Sequence, residues 1–365
     1  MPHIGRFLLS LLTAPIAAVY GAATAVRNSL FDHGILPSEA FPLPVICVGN
    51  LAVGGTGKTP HVEYLLHLLH QEGLRVAMLS RGYGRCTKGY AEASAATTAA
   101  EIGDEPYQIA HNCPFATVAV CEDRREGLRR LLQLKPSIDV VVLDDAYQHR
   151  YVRAGLYVLL TEAARPYTHD HLLPRGRLRE HPRGAQRAQI VVMTKCDGRP
   201  RPDLATAPHQ HLFYSHIVYG PLRLLAATDD APTATTPPAK TVSTSEAVKG
   251  RSVLLITGIA HPDSLISHIE DAGAAAVESL AFPDHHRFTQ ADVARINQAA
   301  AHCDLAITTQ KDATRLAPLA PLLSPTLRSH LYVQPITVSL ETADGDHTIF
   351  NNLILSYVKE HPRDC

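Results

Sequence analysis

Gly54, Gly55 and Gly57 stand directly before Lys58 and Thr59 in NLAVGGTGKTP, residues 50–60. Glycines let backbone N–H groups close around an anion, a lysine there reaches β- and γ-phosphates, and a threonine hydroxyl holds magnesium. With Thr56 between them, residues 54–59 are the expected nucleotide-binding set. The usual spelling, G-x-x-x-x-G-K-[ST], has a glycine where this chain has Ala52. The glycines nearest the lysine do most of the anion wrapping, so the stretch reads as a phosphate loop all the same. A second pattern agrees with it. IDVVVLDDAYQH (138–149) is an apolar strand ending in Asp144 and Asp145, and a carboxylate at such a strand end commonly holds Mg2+.

Other stretches are less specific. SRGYGR (80–85) puts Arg81 and Arg85 after a strand, gripping an anionic substrate group or solvated on a plain turn. In IGDEPYQIA (102–110), Asp104 either caps a helix or takes a proton from an acceptor hydroxyl, and local physics alone favours the cap. HDHLLPRGRLREHPRG (169–184) is dense in arginine, through Arg175, Arg177, Arg179 and Arg183. Such a run is a solvated face or, beside a phosphoryl-transfer site, a charge clamp. FPDHHRF (282–288) sets His285 and His286 beside an aspartate, a surface turn by default and a proton relay at its sharpest. TKCD (194–197) after a strand matches the guanine-reading signature of GTPases, with Asp197 as the base-binding carboxylate.

The elements that must position these groups alternate. Apolar runs at 43–49, 75–80, 115–120, 138–144, 156–161 and 189–194 read as buried strands. Between the first two, Val62, Leu65, Leu66 and Leu69 recur at helical spacing, Pro60 suits a first turn, and Gly73 ends the helix. This alternation predicts a P-loop NTPase-like α/β fold, a parallel sheet with helices on both faces. Residues 31–227 form that domain, the Pro/Thr/Ala-rich stretch 228–250 a linker, and 251–365 a smaller C-terminal α/β domain. Residues 1–30 are set apart: positions 7–26 carry no charge and lie between Arg6 and Arg27. A helix lying in the membrane interface is the favoured reading, over a spanning helix weakened by Pro15 and Gly21 and over a cleaved signal.

Composition narrows the field. A net charge of −1 gives no bulk attraction to nucleic acid, and none is expected as a partner. Seven cysteines without a C-x-x-C pair fit a reducing compartment, and the 21 histidines lack metal-ligand spacing.

Taken in order, GNLAVGGTGKTP, SRGYGR, GDEP, LDDAYQH, HDHLLPRGRLRE, FPDHHRF and TTQKDATRL resemble the tetraacyldisaccharide 4'-kinase family, the membrane-associated lipid A kinases. Their loop also lacks the first glycine, so Ala52 is ordinary among them. The resemblance implies transfer of the ATP γ-phosphate to the 4'-hydroxyl of a tetraacylated glucosamine disaccharide 1-phosphate. It places that reaction at the cytoplasmic face of the inner membrane, with ATP and Mg2+ as cofactors and a glycolipid and the membrane surface as partners. Carried over by motif, Lys58 and Thr59 serve the phosphates and the metal, Asp144 and Asp145 the metal, and Asp104 the proton transfer. Asp104 is partnered by His285, with His286 open, and Arg179 lies near the transferred phosphate. The roles of neighbouring Glu105 and Glu180 stay open. Because Asp104 and His285 belong to different domains, a hinge closure is expected to bring them together. Ala146 departs from the glycine common in the family, harmlessly if that position needs no positive φ. Asp197 supports the rival, a membrane-associated GTP-hydrolysing switch or metallochaperone.

Overall fold

A computed structural model describes residues 2–196, 204–225, 241–259, 261–284 and 286–361, with side chains from residue 13 onward. Its strands are β1 (Val45–Asn50), β2 (Val76–Ser80), β3 (Ala91–Glu92), β4 (Thr117–Val120), β5 (Val140–Asp144), β6 (Leu156–Glu162), β7 (Ile190–Thr194) and β8 (His211–Tyr219). They continue as β9 (Leu222–Leu224), β10 (Thr241–Val242), β11 (Ser252–Thr257), β12 (Ala276–Ala281), β13 (Leu305–Thr309), β14 (Leu331–Gln334) and β15 (Ile336–Glu341). One sheet runs β15-β8-β7-β6-β1-β5-β2-β4-β3 and the other β10-β9-β14-β13-β11-β12. In the larger sheet every pair from β8 to β4 is parallel, and both edge strands are antiparallel. The expected α/β architecture is present.

The parallel strands form because their residues suit burial on both faces. β1, β2, β5 and β7 are buried along their whole length, which accounts for near-continuous apolar runs in place of alternation. The helix Lys58–Gln71 covers one face with Val62, Leu65, Leu66 and Leu69, packed with Val48 and Val142. Leu128 and Leu131 of the helix Arg124–Leu134 cover the other, against Leu79 and Val141. At the carboxyl edge the chain turns one way after β1 and the other after β5, because β1 lies between β6 and β5. Ligands of open α/β sheets bind at such a reversal.

The linear division expected at residues 227 and 251 is crossed twice. Strand β9 belongs to the second sheet, whereas β15 returns to pair with β8 of the first. The helix Thr348–Glu360 follows it and buries Phe350, Ile354 and Val358 in the first core. Two chain passages therefore join the lobes. The expected linker is partly structured, since residues 241–242 form β10 and Thr244–Val248 a short helix; residues 226–240 lie outside the described set.

The N-terminal arm is a helix, Pro2–Asp32, with Pro15 inside it. Ala17 and Phe31 are buried against the larger lobe, and Tyr20 Oη donates to the Arg179 carbonyl at 2.7 Å. Ile16, Val19 and Val26, at helical spacing, stay more than half exposed. Among the described residues no helix is long and apolar enough to cross a membrane. One face of the arm is spent on docking against the larger lobe.

Candidate active site

The loop after β1 has the form a phosphate site requires. Gly54 and Gly57 take φ of 112° and 82°, conformations open to glycine but strained for other residues. Gly57 leads directly into the helix beginning at Lys58, so the free N–H groups and positive end of that helix face the loop. Ala52 has a structural reason of its own. It bridges Leu178, Val53 N–H donates to the Arg177 carbonyl at 2.8 Å, and Arg179 N–H donates to the Leu51 carbonyl at 2.7 Å. The start of the loop is thus a short strand pair with the basic segment, and extended backbone there needs no glycine.

That pairing aims Arg179 inward. Its guanidinium donates to Asp145 at 2.7 and 3.2 Å and to Asn50 Oδ1, whose amide in turn donates to Thr56 Oγ1 at 2.8 Å. Lys58 Nζ lies 3.7 Å from Asp145. Asp145, at φ 46°, occupies the left-handed region while Ala146 does not, so alanine is no burden there. Burial raises the Asp145 carboxyl, but Lys58 and Arg179 outweigh it and hold it below the usual carboxylate range. Asp144 is the opposite case. It is 1% exposed, its Oδ1 has no hydrogen-bond partner, and burial, then Glu105 and Asp145, push its pKa up to about 7. A buried carboxylate oxygen with no hydrogen-bond partner, beside two further acids, suits a divalent cation. Mg2+ commonly takes one or two carboxylates and completes its shell with phosphate and water. No cluster of three or more His, Cys, Asp or Glu ligands occurs among the described residues.

Asp104 opens the helix Asp104–Asn112, with Gly103 at φ 95° in the cap position. The cap reading therefore fails at Asp104 itself. Its Oδ2 instead accepts from Arg315 Nε and Nη2, both at 2.8 Å. Arg315 is almost wholly buried and also reaches Asp312, which accepts from the Gly258 amide and the Thr309 hydroxyl. Arg315 lies in TTQKDATRL of the second lobe, so this ion pair spans the junction of the lobes; the expected closure of Asp104 on His285 involves a residue outside the described set. The motif is visible in the sequence, but it assigns Arg315 no role. A lone arginine carries no signal until its partner, 211 positions away, is known.

Of the two histidines, His285 lies outside the described residues. His286 is committed elsewhere: its Nε2 is 2.9 Å from Asp292 Oδ2, and its ring stacks on Phe282. Asp292 also closes the capping box of Thr289, so His286 supports a helix start. Glu180 is structural too, taking Arg187, Gln148 and Asn28. Arg85 is buried against Glu122 and the Gly89 carbonyl, which removes it as a substrate grip, while Arg81 is exposed. Within the basic run Arg179 turns its guanidinium to Asp145 beside the loop; Arg177 also lines the cleft but pairs with Glu162 and Asp170, and Arg175 and Arg183 are exposed. Asp197 lies outside the described residues.

A cleft of about 530 Å³ runs from the phosphate loop past Glu105 and Gln108 to Lys195 and, on the second lobe, Asp284 and Lys311. His61 lines it and braces the loop. A carbonyl can only accept, so His61 Nδ1 carries the proton toward Gly57 O at 2.7 Å and Nε2 accepts from the Ser215 hydroxyl at 2.9 Å. Burial lowers this imidazole to about 4. An unfolded chain protonates His61 near 6.5 and the native state does not, so its contribution is complete above 6.5 and drains away as pH falls toward 4. The loss is about 3 kcal/mol by linkage. Urea unfolding of the wild type and of His61→Asn at pH 7 and pH 4 checks this: only the wild type should show that component of the acid loss.

A phosphate loop, a buried carboxylate at the end of a neighbouring strand and an acidic helix start whose Glu105 lines the cleft define a P-loop phosphotransferase. A profile of the family described as tetraacyldisaccharide-1-P 4'-kinase, LpxK, matches residues 9–355. The tetraacyldisaccharide 4'-kinase of Bacteroides fragilis is 45% identical over 363 residues, 96% of this chain and 93% of that protein. That of Flavobacterium johnsoniae is 40% identical, covering 97% and 98%. The crystal structure of LpxK from Aquifex aeolicus in complex with ATP superposes with a TM-score of 0.73 at 27% identity, covering 96% of this chain and 99% of that one. The chain belongs to the tetraacyldisaccharide 4'-kinase family, and it is a kinase. This assignment replaces the GTP-hydrolysing switch.

Proposed function

We propose that this kinase transfers the ATP γ-phosphate to the 4'-hydroxyl of an acylated glucosamine disaccharide 1-phosphate, in lipid A biosynthesis, at the cytoplasmic face of the inner membrane. The observation that supports it most is the convergence of the phosphate loop, the unpartnered Asp144 oxygen and the helix start at Asp104, whose Glu105 lines the loop's cleft and repels the Asp144 charge. Residues 54–59 cradle the phosphates through backbone N–H groups, and Lys58 and Arg179 hold the γ-phosphoryl oxygens. Thr59 and Asp144 would hold Mg2+, with Asp145 keeping Lys58 and Arg179 aligned. Bound there, the ion would neutralise charge shared between the β- and γ-phosphates. The acceptor oxygen attacks phosphorus, the bond from phosphorus to the β–γ bridging oxygen breaks, and ADP leaves with that electron pair. The hydroxyl proton passes to Asp104, assisted by His285. Incubation with γ-labelled ATP and the acylated disaccharide tests the assignment. Label is expected in the glycolipid; label released only into water would refute it.

The arm is read as lying on the bilayer, its docked face held by Ala17, Tyr20 and Phe31 and its free face offering Ile16, Val19 and Val26. Serine at those three free positions should cut binding to anionic vesicles at least fivefold and raise KM for micellar acceptor. Thermal stability should stay within a few degrees, since those side chains are more than half exposed and have little packing to lose. Unchanged vesicle binding would remove the arm's membrane role.

A further inference from the structure

The helix behind the phosphate loop buries a carboxylate that the reaction leaves unused. Glu63 is 8% exposed, and its Oε1 accepts from Gln108 Nε2 at 3.0 Å and Asn112 Nδ2 at 2.8 Å. Both amides belong to the helix that begins at Asp104, and their i, i+4 spacing puts them on one face. Asn112 Oδ1 then accepts from Arg223 Nη2 at 3.3 Å, on β9 of the second sheet. One buried acid thus ties together the phosphate-loop helix, the Asp104 helix and the smaller lobe. An apolar pair would hold two helices with less desolvation cost, but it would leave them free to slide. Hydrogen bonds to a single oxygen fix height and rotation. Gln108 also lines the cleft beside Glu105, so the network reaches the reaction space.

We infer that Glu63 is a positioning residue for phosphoryl transfer, setting the Asp104 helix in register with the phosphate loop through Gln108 and Asn112. The inference rests on Asp104 as the proton acceptor. Its logic is distance: transfer needs near-attack geometry, and an error of about 1 Å costs roughly a hundredfold in rate.

The test compares Glu63→Leu, Glu63→Gln, Asn112→Leu and the double variant Glu63→Leu/Asn112→Leu in the transfer assay. Glu63→Leu should lower kcat by about ten- to a hundredfold with KM for ATP within threefold, because the phosphate loop itself is untouched. Glu63→Gln should recover most of that loss, since its carbonyl accepts the same two amides. The double variant should be no worse than the poorer single, as expected of groups acting as one unit. Full turnover in Glu63→Leu, equal damage to kcat and KM, or additive losses would overturn the inference. Should Glu63→Leu fail to fold, Asn112→Leu and Glu63→Gln carry the same comparison, and a full loss in Glu63→Gln counts against it. Asp104→Asn is measured alongside. Normal turnover there overturns the Asp104 assignment and this inference with it. Lost turnover there with full activity in Glu63→Leu overturns this inference alone.

Discussion

Replacing Asp104 by asparagine is expected to lower kcat by about a thousandfold while leaving KM for ATP within about threefold. A positioned base contributes roughly 10²- to 10⁴-fold, and asparagine is isosteric but cannot accept the proton. The split between the two constants follows from geometry. Asp104 lies on a separate helix from Lys58 and Thr59 and touches Arg315 of the other lobe, so ATP can be held without it. Asparagine also keeps an oxygen for Arg315, which limits structural damage. Steady-state kinetics with varied ATP and saturating acceptor read both constants; equal loss in each would mean that Asp104 only supports the junction.

The second large effect is expected at Asp144. Asp144→Asn should reduce kcat by roughly 10²- to 10³-fold, the usual loss when one charge-stabilising group is removed from an active site. It should also raise the Mg2+ concentration needed for half-maximal rate at least tenfold. The reason lies in its surroundings: a buried oxygen without a partner, with Glu105 and Asp145 adding like charge. Relieving that repulsion by amidation should leave the variant at least as stable as the wild type. Lower activity with undiminished stability is the signature of a metal-holding role. Chelation of divalent ions should abolish transfer by the wild type. A variant with normal metal requirement would shift the metal site away from this carboxylate.

Much of the larger lobe was legible because its strands declare themselves. β1, β2, β5 and β7 are short apolar runs buried on both sides, and the helix after the loop repeats leucines at the right interval. β8 and β15 were not visible in the same way. HLFYSHIVY mixes histidine and serine into the run, and ITVSLE alternates, because the two strands pair antiparallel at an edge. Nothing local signals that residue 336 should rejoin a strand more than a hundred positions earlier. The loop, the carboxylate pair and Arg179 were legible as motifs. Arg315 and Glu63 were not, since each acquires meaning only from residues the fold brings to it. For His286, the alternative left open, a signal was available. Thr289 and Asp292 spell a capping box, which binds His286 to a structural task.

In the proposed reaction one hydroxyl of the acceptor is held between the Asp104 carboxylate and the γ-phosphoryl group over Lys58 and Arg179. A crystal structure with a non-hydrolysable ATP analogue, Mg2+ and the acylated disaccharide tests it most directly. The 4'-hydroxyl is expected within hydrogen-bond distance of an Asp104 oxygen and about 3–3.5 Å from the γ-phosphorus, in line with the leaving oxygen. A sugar seated with that hydroxyl turned away from Asp104, or an analogue whose phosphates lie outside the loop at residues 54–59, would contradict it.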